Sequence, residues 1–415
     1  MLLQFSVENF KSFKDKTIFS LQASSAKENY HNVMMSEVGN YLRVVSIYGA
    51  NASGKSNFFD AFTAALLTIR NSANWTIDVK NNLIIPFRFA DTREEPSGFE
   101  FVFMANNLKY IYGFSLDENE VYEEYLYCYK SQRPSMIFER SDGDKYKYSN
   151  SLIKKELKPL EARNAKNKLF LSTSAIWNCN ATKDTYLWFK NEIEVYNNNF
   201  EYLLPYIGEM YENDNDLQLK NFTKEVLRQA DINILDFDFG VDEVSDEEIR
   251  KLLPNEFRSV FNQLPKGENK KYDIKTKHVV DDKTYICDID EESAGTKNLL
   301  MLCPLLKDAF ENGKTILIDE FDKSLHPHLV IYLIKLFNDP NINKGFAQLI
   351  ISSHTTSLLS LDYLRRDQIY FIEKDRDTAC SELYSLADFS PRKSENILNA
   401  YLNGRYGAIP NIVGI

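Results

Sequence analysis

The sequence predicts an α/β fold in which an N-terminal and a C-terminal part combine across a long insertion. Three observations carry that prediction. Near the start, an apolar strand runs into a glycine-containing loop and then a helix. Near the end, apolar strands alternate with helices, the alternation of a parallel sheet. Between them lie an antiparallel meander and a mainly helical segment. The parts divide at about 1–94, 95–284 and 285–415 of the 415 residues.

The elements follow in order. Residues 2–8 and 16–23 alternate as two short strands joined by a turn at Asn9-Phe10-Lys11-Ser12-Phe13-Lys14. LRVVSIY, 42–48, reads as a buried strand, and SNFFDAFTAALLTIRNSA after it as a helix with few breakers. From 99 to 140 come FEFVFMA, LKYIYGFSL, VYEEYLYCYK and MIFER, the first three parted by Asn-Asn and Asp-Glu-Asn turns. Helical patterns hold from about 151 to 231, DTYLWFKNEIEVYNNNFEYLLPYIGEMY among them. Strands return at 233–241 and 272–289. A helix then starts near Ser293, followed by the strand TILIDE, a helix from His328 to Phe337, the strand AQLIISS and a closing αβ segment. No internal repeat, low-complexity tract or sustained heptad is present.

Composition narrows the function classes. The net charge of −11 disfavours generic nucleic-acid binding, which needs Lys and Arg at phosphates. No stretch approaches the roughly 20 apolar residues of a membrane helix, and the opening MLLQFSVENFKSF lacks the pattern of a signal peptide. Five scattered cysteines without CxxC or Cys/His spacing point to free thiols in a cytoplasmic protein, not to disulfides or zinc.

Gly49-Ala50-Asn51-Ala52-Ser53-Gly54-Lys55-Ser56 fits G-x-x-x-x-G-K-[ST] at every position and lies between strand and helix, the context the motif requires. Its two glycines let backbone N–H groups turn inward around phosphates. Lys55 would bridge the β- and γ-phosphates, and Ser56 would ligate Mg²⁺ at a helix N-terminus that favours anions. Asn51, Ser53 and Asn57 belong to the same nucleotide-binding set. ATP and Mg²⁺ are therefore the expected cofactors.

Asp319 and Glu320 end the apolar strand TILI, where parallel sheets place ligand groups. Many buried strands end in an acidic residue at the solvent boundary. After a phosphate loop, Asp319 is expected on Mg²⁺ and Glu320 as the base that polarises the attacking water. Glu292-Ser293-Ala294-Gly295-Thr296-Lys297 opens the preceding helix. Ser293 and Gly295 have two readings: a plain N-cap with a first-turn glycine, or a γ-phosphate contact across a dimer. His354 follows AQLIISS. It is either a structural histidine or, in this motif order, a switch that senses the γ-phosphate or attacking water.

This order of motifs resembles the ABC-type ATPase heads of the SMC and RecF group. The resemblance rests on the Asn9–Lys14 turn, GKSN from Gly54 to Asn57, SAGTK from Ser293 to Lys297, LIDEFDKSLHP from Leu317 to Pro327 and SSHTTSLL from Ser352 to Leu359. It implies a split ABC-type P-loop ATPase head with an inserted, mainly helical segment behind the meander. IPFRFAD (Ile85 to Asp91), LYCYK, IFER, KLFLSTSA (Lys168 to Ala175) and YLNGRYGAIPNI (Tyr401 to Ile412) are similar to the RloA and AbiL-type ATPases of bacterial anti-phage loci, the ATPase of PARIS systems included. That resemblance implies homo-oligomers through the heads, a phage-derived trigger and a separate toxic effector of TOPRIM or RloB type, in abortive infection. The sequence departs from the ABC pattern in having no Gln between Asn57 and Ser131, so Arg88 or Asp91 would replace the Q-loop residue.

Two other readings compete. A RecF/SMC-like DNA repair or maintenance ATPase leaves DNA open as a partner but calls for a basic groove. A nucleotide-gated scaffold that hardly hydrolyses ATP would need neither Glu320 nor His354. A P-loop kinase has no use for SAGTK.

Overall fold

The structure, a computed structural model, describes residues 1–36, 39–141, 145–197, 200–243 and 270–410. Strands β1 (Leu2–Glu8), β2 (Thr17–Ser20), β3 (Val33–Ser36), β4 (Gly39–Leu42) and β5 (Val44–Tyr48) precede helix α1 (Lys55–Asn71). The meander is β6 (Ser97–Ala105), β7 (Leu108–Leu116), β8 (Val121–Tyr129), β9 (Ser135–Ser141) and β10 (Lys145–Tyr148). Helices α2 (Ser151–Leu157), α3 (Phe170–Ile176) and α4 (Asn180–Asn191) lead to β11 (Ile193–Tyr196). Then come α5 (Leu204–Glu212), α6 (Gln218–Gln229), β12 (Asp236–Glu243), β13 (Lys270–Val280) and β14 (Lys283–Asp288). The last stretch holds α7 (Ala294–Asn312), β15 (Thr315–Ile318), α8 (Pro327–Asn338), β16 (Gln348–Ser352), β17 (Ile369–Lys374), β18 (Ser381–Ser385) and α9 (Ile397–Leu402).

These elements form two compact units. The first comprises Met1–Asn197, Ala309–Asp322 and Val330–Ile415; the second comprises Asn198–Asp308 and Lys323–Leu329. The units part after Asn197, not at the 94/95 boundary read from the sequence. The reason is hydrogen bonding: β6 pairs with β1, Phe5 opposite Phe101, so the meander continues the N-terminal sheet in the order β10-β9-β8-β7-β6-β1-β2.

The second sheet of the first unit has the order β11-β15-β16-β5-β17-β18. Its first five strands are parallel, and only β18 runs against its neighbour. Strand β5, from the beginning of the chain, pairs with β16 on one side and β17 on the other, Val45 opposite Ile350 and Ile47 opposite Tyr370. The two ends of the chain thus share one sheet, as the split-head reading requires. Strand β11 was read as helix, because IEVY sits inside a run of helical periodicity. Its Ile193 and Val195 favour a pleated, buried setting, and parallel pairing with β15 secures it.

Helix α1 buries most of its surface and leaves one stripe, Ser56, Asp60, Thr63, Leu67 and Arg70, at the helical spacing of three to four residues, at least partly exposed. Phe62 stacks on Phe5 with centroids 3.7 Å apart, and Phe58 meets Phe5 and Phe19 edge-on. Each such ring contributes roughly 1.5–3 kcal/mol through burial. The same cluster takes in Val45, Leu317 and Ile350 from the parallel sheet and Phe101 from the other. Helix α1, and the loop before it, are therefore fixed from both sides.

A buried ion pair explains two of the quoted stretches together. Glu124 of β8 accepts hydrogen bonds from the N–H groups of Phe170 (2.6 Å) and Leu171 (2.8 Å) and from the Tyr112 hydroxyl (2.9 Å). Arg140, the arginine of IFER, lies 3.9 Å from Glu124 and donates to the carbonyl of Lys168 at 2.6 Å, in KLFLSTSA. Burial pushes the Glu124 carboxyl up, and Arg140 with the two N–H donors opposes it. Ser172 of the same stretch donates to the carbonyl of Ile69, which ties α3 to the end of α1.

In the second unit, β12, β13 and β14 form an antiparallel sheet. The strand expected over 272–289 is a hairpin, turning at Asp281 and Asp282 with φ of 49° and 60°. Two successive left-handed residues are the signature of a tight hairpin turn, and aspartate tolerates that conformation. Gly208 of α5 packs on the Tyr272 ring, which would lie 2.2 Å from an added Cβ. No described helix is long and apolar enough to cross a membrane.

Candidate nucleotide site

The loop between β5 and α1 is shaped by its neighbours as well as by its glycines. A Cβ on Gly49 would lie 2.3 Å from the carbonyl oxygen of Ile372. Gly54 has φ +114°, and a Cβ there would lie 2.4 Å from Ser381 Oγ and 2.8 Å from Ser12 Oγ. Ala52 also has a left-handed φ, 64°. Ser381 of β18 donates to the carbonyl of Ser53 at 2.6 Å, and its N–H donates to the carbonyl of Ser12 at 2.7 Å. Asn57 donates to Ser12 Oγ at 2.8 Å. Ser12 and Ser381 thus shape the loop; sequence reading assigned Ser12 no role beyond its place in the Asn9–Lys14 turn and did not single out Ser381. They are more than 300 positions apart, so only the fold brings them together.

Lys55 lies within the loop it serves. Its Nζ donates to the carbonyls of Gly49 (2.8 Å) and Ala50 (3.1 Å). Burial lowers its proton affinity, and the negative charges of Asp319, Glu320 and Asp322 act in the opposite direction. The phosphate loop and the acidic strand end therefore meet in one electrostatic site. The hydroxyl of Ser53 is buried without a protein partner among the described residues. A caged ammonium, an unsatisfied hydroxyl and facing carboxylates fit a Mg-nucleotide: Lys55 for the β- and γ-phosphates, Ser56 and Asp319 for the metal. Ser56 and Asn51 are exposed at the loop surface.

Ser352, at the end of β16, fixes the acidic corner. Its Oγ donates to Asp319 Oδ1 at 2.5 Å and accepts from the Glu320 N–H at 2.7 Å. Glu320 has φ 50°, a left-handed conformation rare for a glutamate and a form of local strain found at working sites. Asp322 was not among the residues read from the sequence. Its Oδ2 accepts from the His354 N–H (3.0 Å) and from Thr355 Oγ1 (2.5 Å), which sets the backbone of the loop that exposes His354. Gly49–Ser56, Asp319–Glu320 and His354 all follow the C-terminal ends of adjacent parallel strands, where such sheets gather ligand groups.

Asn9 ties the N-terminal turn to the PFRFAD stretch. Its Nδ2 donates to the carbonyls of Thr92 (2.7 Å) and Glu95 (2.8 Å), and its Oδ1 accepts from the Phe87 N–H at 3.2 Å. Arg88 and Asp91 are exposed and make no side-chain hydrogen bond or ion pair among the described residues. Ser293 and Gly295 belong to the second unit. Ser293 caps α7 by accepting from the Thr296 N–H at 3.1 Å. Gly295 is held close to the following loop: a Cβ there would lie 2.6 Å from the carbonyl oxygen of Ser324.

Fold and site together define a P-loop ATPase. Residues 44–360 match the family described as "AAA domain, putative AbiEii toxin, Type IV TA system", and the chain belongs to that family. Among solved structures, the chain is similar to the SMC head domain from Thermotoga maritima, at 14% identity over 92% of this chain and 98% of that one, with a TM-score of 0.42. It is also similar to an SMC head bound to the C-terminal winged-helix domain of ScpA, at 12% identity over 92% and 97%, with a TM-score of 0.39. Both scores lie below the level at which shape speaks to function. No curated protein matches the sequence.

Proposed function

We propose that the protein is an ATP-driven switch of a bacterial defence or toxin–antitoxin locus, one that controls a separate toxic effector. The observation that carries the ATP-driven part is that Lys55, Asp319 and Glu320 all lie just past the C-terminal ends of strands in one parallel sheet, with the acidic groups acting on the Lys55 charge. Lys55 binds the terminal phosphates, and Ser56 and Asp319 hold Mg²⁺. The metal, when bound, neutralises phosphate charge. Glu320 polarises the attacking water, and His354 reads the γ-phosphate from the next strand end. Ser293 and Gly295 act on ATP held by a second copy, so the working form is a homo-oligomer joined through its heads. Arg88 or Asp91 stands where a Q-loop residue would report nucleotide state.

The family description, with its toxin and type IV toxin–antitoxin terms, supports the defence reading. The similarity of IFER and KLFLSTSA to anti-phage ATPases supports it further, since one buried ion pair joins those stretches here. The test is a phage-plating assay on cells carrying the gene with its neighbouring gene. Wild type should cut plaque number, and Lys55→Ala should restore it. Equal plating across a broad phage panel, with and without the intact locus, would refute the defence reading.

A further inference from the structure

Glu292, which directly precedes Ser293, has no part in the ATP site. Its side chain is only 12% exposed. One oxygen, Oε1, accepts from Thr276 Oγ1 at 2.5 Å and lies 2.6 Å from His278 Nε2. Facing a carboxylate, that ring nitrogen is the donor. Thr276 and His278 continue the buried face of β13, after Tyr272 and Ile274. Two places apart, they share one face of the strand. The apolar stripe thus ends in two polar groups that converge on a single carboxylate.

The consequence lies one residue on. Glu292 pins the turn that enters α7 against β13. Gly295 holds the same turn close to the following loop, because the Ser324 carbonyl leaves no room for a side chain. Between these two holds, Ser293 is exposed at the helix start. The free N–H groups of a helix N-terminus serve an anion carried by another subunit well only when the turn is held close to the productive geometry, to within about 0.5 Å. A solvent-exposed carboxylate would serve helix polarity as well without the strand contacts. We infer that Glu292, held by Thr276 and His278, is the positioning residue of the Ser293–Lys297 turn. It sets that turn's height and rotation for a nucleotide carried by a second copy of the chain. This rests on the reading of Ser293 and Gly295 given above.

The test is steady-state ATP turnover by the full chain, with Ser293→Arg measured in parallel. Loss of two hydrogen bonds to a charged group should lower kcat about tenfold or more in Glu292→Ala. KM for ATP should stay within about twofold, because the phosphate loop is untouched. Glu292→Gln keeps the acceptor oxygen and should recover most of kcat. Thr276→Val, a milder change that guards against misfolding, should give an intermediate kcat. Mixed with Lys55→Ala, the Glu292→Ala chain should show more activity than the two separate proteins together. The heterodimer then holds one site with an intact phosphate loop and an intact turn. Wild-type kcat in Glu292→Ala beside an inactive Ser293→Arg would overturn this inference alone. Wild-type activity in both would overturn the two-copy reading itself. Recovery in the Ser293→Arg mixture but not in the Glu292→Ala mixture would also overturn the inference.

Discussion

Gly54→Ala puts the shaping of the phosphate loop to a quantitative test. The native φ of +114° is one that side-chain-bearing residues rarely adopt, at a strain of roughly 1–3 kcal/mol. The new Cβ would also lie 2.4 Å from Ser381 Oγ and 2.8 Å from Ser12 Oγ. One hydroxyl must move, and with it goes the bond to the Ser53 carbonyl or the bond from Asn57. Each is worth about 0.5–1.5 kcal/mol net. Together these terms reach about 1.5–4.5 kcal/mol, and the loop can relieve them by changing shape while the sheets stay intact. Affinity for Mg-ATP should then fall by between about 10-fold and about 2,000-fold. Melting temperature should move little, because α1 keeps its aromatic packing. Calorimetric titration with Mg-ATP, paired with thermal unfolding, reads both. The double variant Gly54→Ala with Ser381→Ala removes the tighter clash and should bind better than Gly54→Ala alone. Binding by Gly54→Ala within threefold of wild type would refute the claim that Ser12 and Ser381 shape the loop.

Three further outcomes follow from other parts of the molecule. Glu124→Ala leaves Arg140 buried without its carboxylate, a loss of about 3–5 kcal/mol, so thermal unfolding should come about 5 °C or more earlier; an unchanged midpoint would contradict it. Asp322→Ala frees the backbone of the His354 loop and should lower kcat with little change in KM, which a Michaelis–Menten series separates from a binding defect. Lys55→Ala removes an ammonium that feels the charges of Asp319, Glu320 and Asp322 and should abolish measurable Mg-ATP binding in a calorimetric titration.

What the sequence disclosed depended on whether the signal was local. Gly49–Ser56 is consecutive, and the strand and helix around it are strongly patterned, so loop and context were both readable. Asp319 and Glu320 stood out because the apolar run Ile316–Ile318 precedes them. Ser352 and Asp322, which hold that corner and the His354 loop, lie inside the quoted SSHTTSLL and LIDEFDKSLHP stretches, but their roles arise only when β15 and β16 lie side by side. Ser12 and Ser381 were hidden for the same reason, by distance along the chain. Strand β11 was concealed by neighbours of helical periodicity, since its preference is decided by a partner more than a hundred residues away. The 94/95 boundary failed because a change from loop to meander marks an element border, and only β1–β6 pairing shows that no unit ends there. Glu124 and Arg140 were visible as charges within strands, yet nothing local says that they point inward.

We propose that ATP is bound through Lys55 and hydrolysed through Glu320. The most direct measurement pairs equilibrium Mg-ATP binding with single-turnover hydrolysis in wild type and in Glu320→Gln. Glutamine keeps the shape of the strained corner and its hydrogen bond to Ser352, and loses only the base. Glu320→Gln should bind Mg-ATP within a few-fold of wild type and hydrolyse it about 100-fold or more slowly. Wild-type hydrolysis by a correctly folded Glu320→Gln protein would contradict the account.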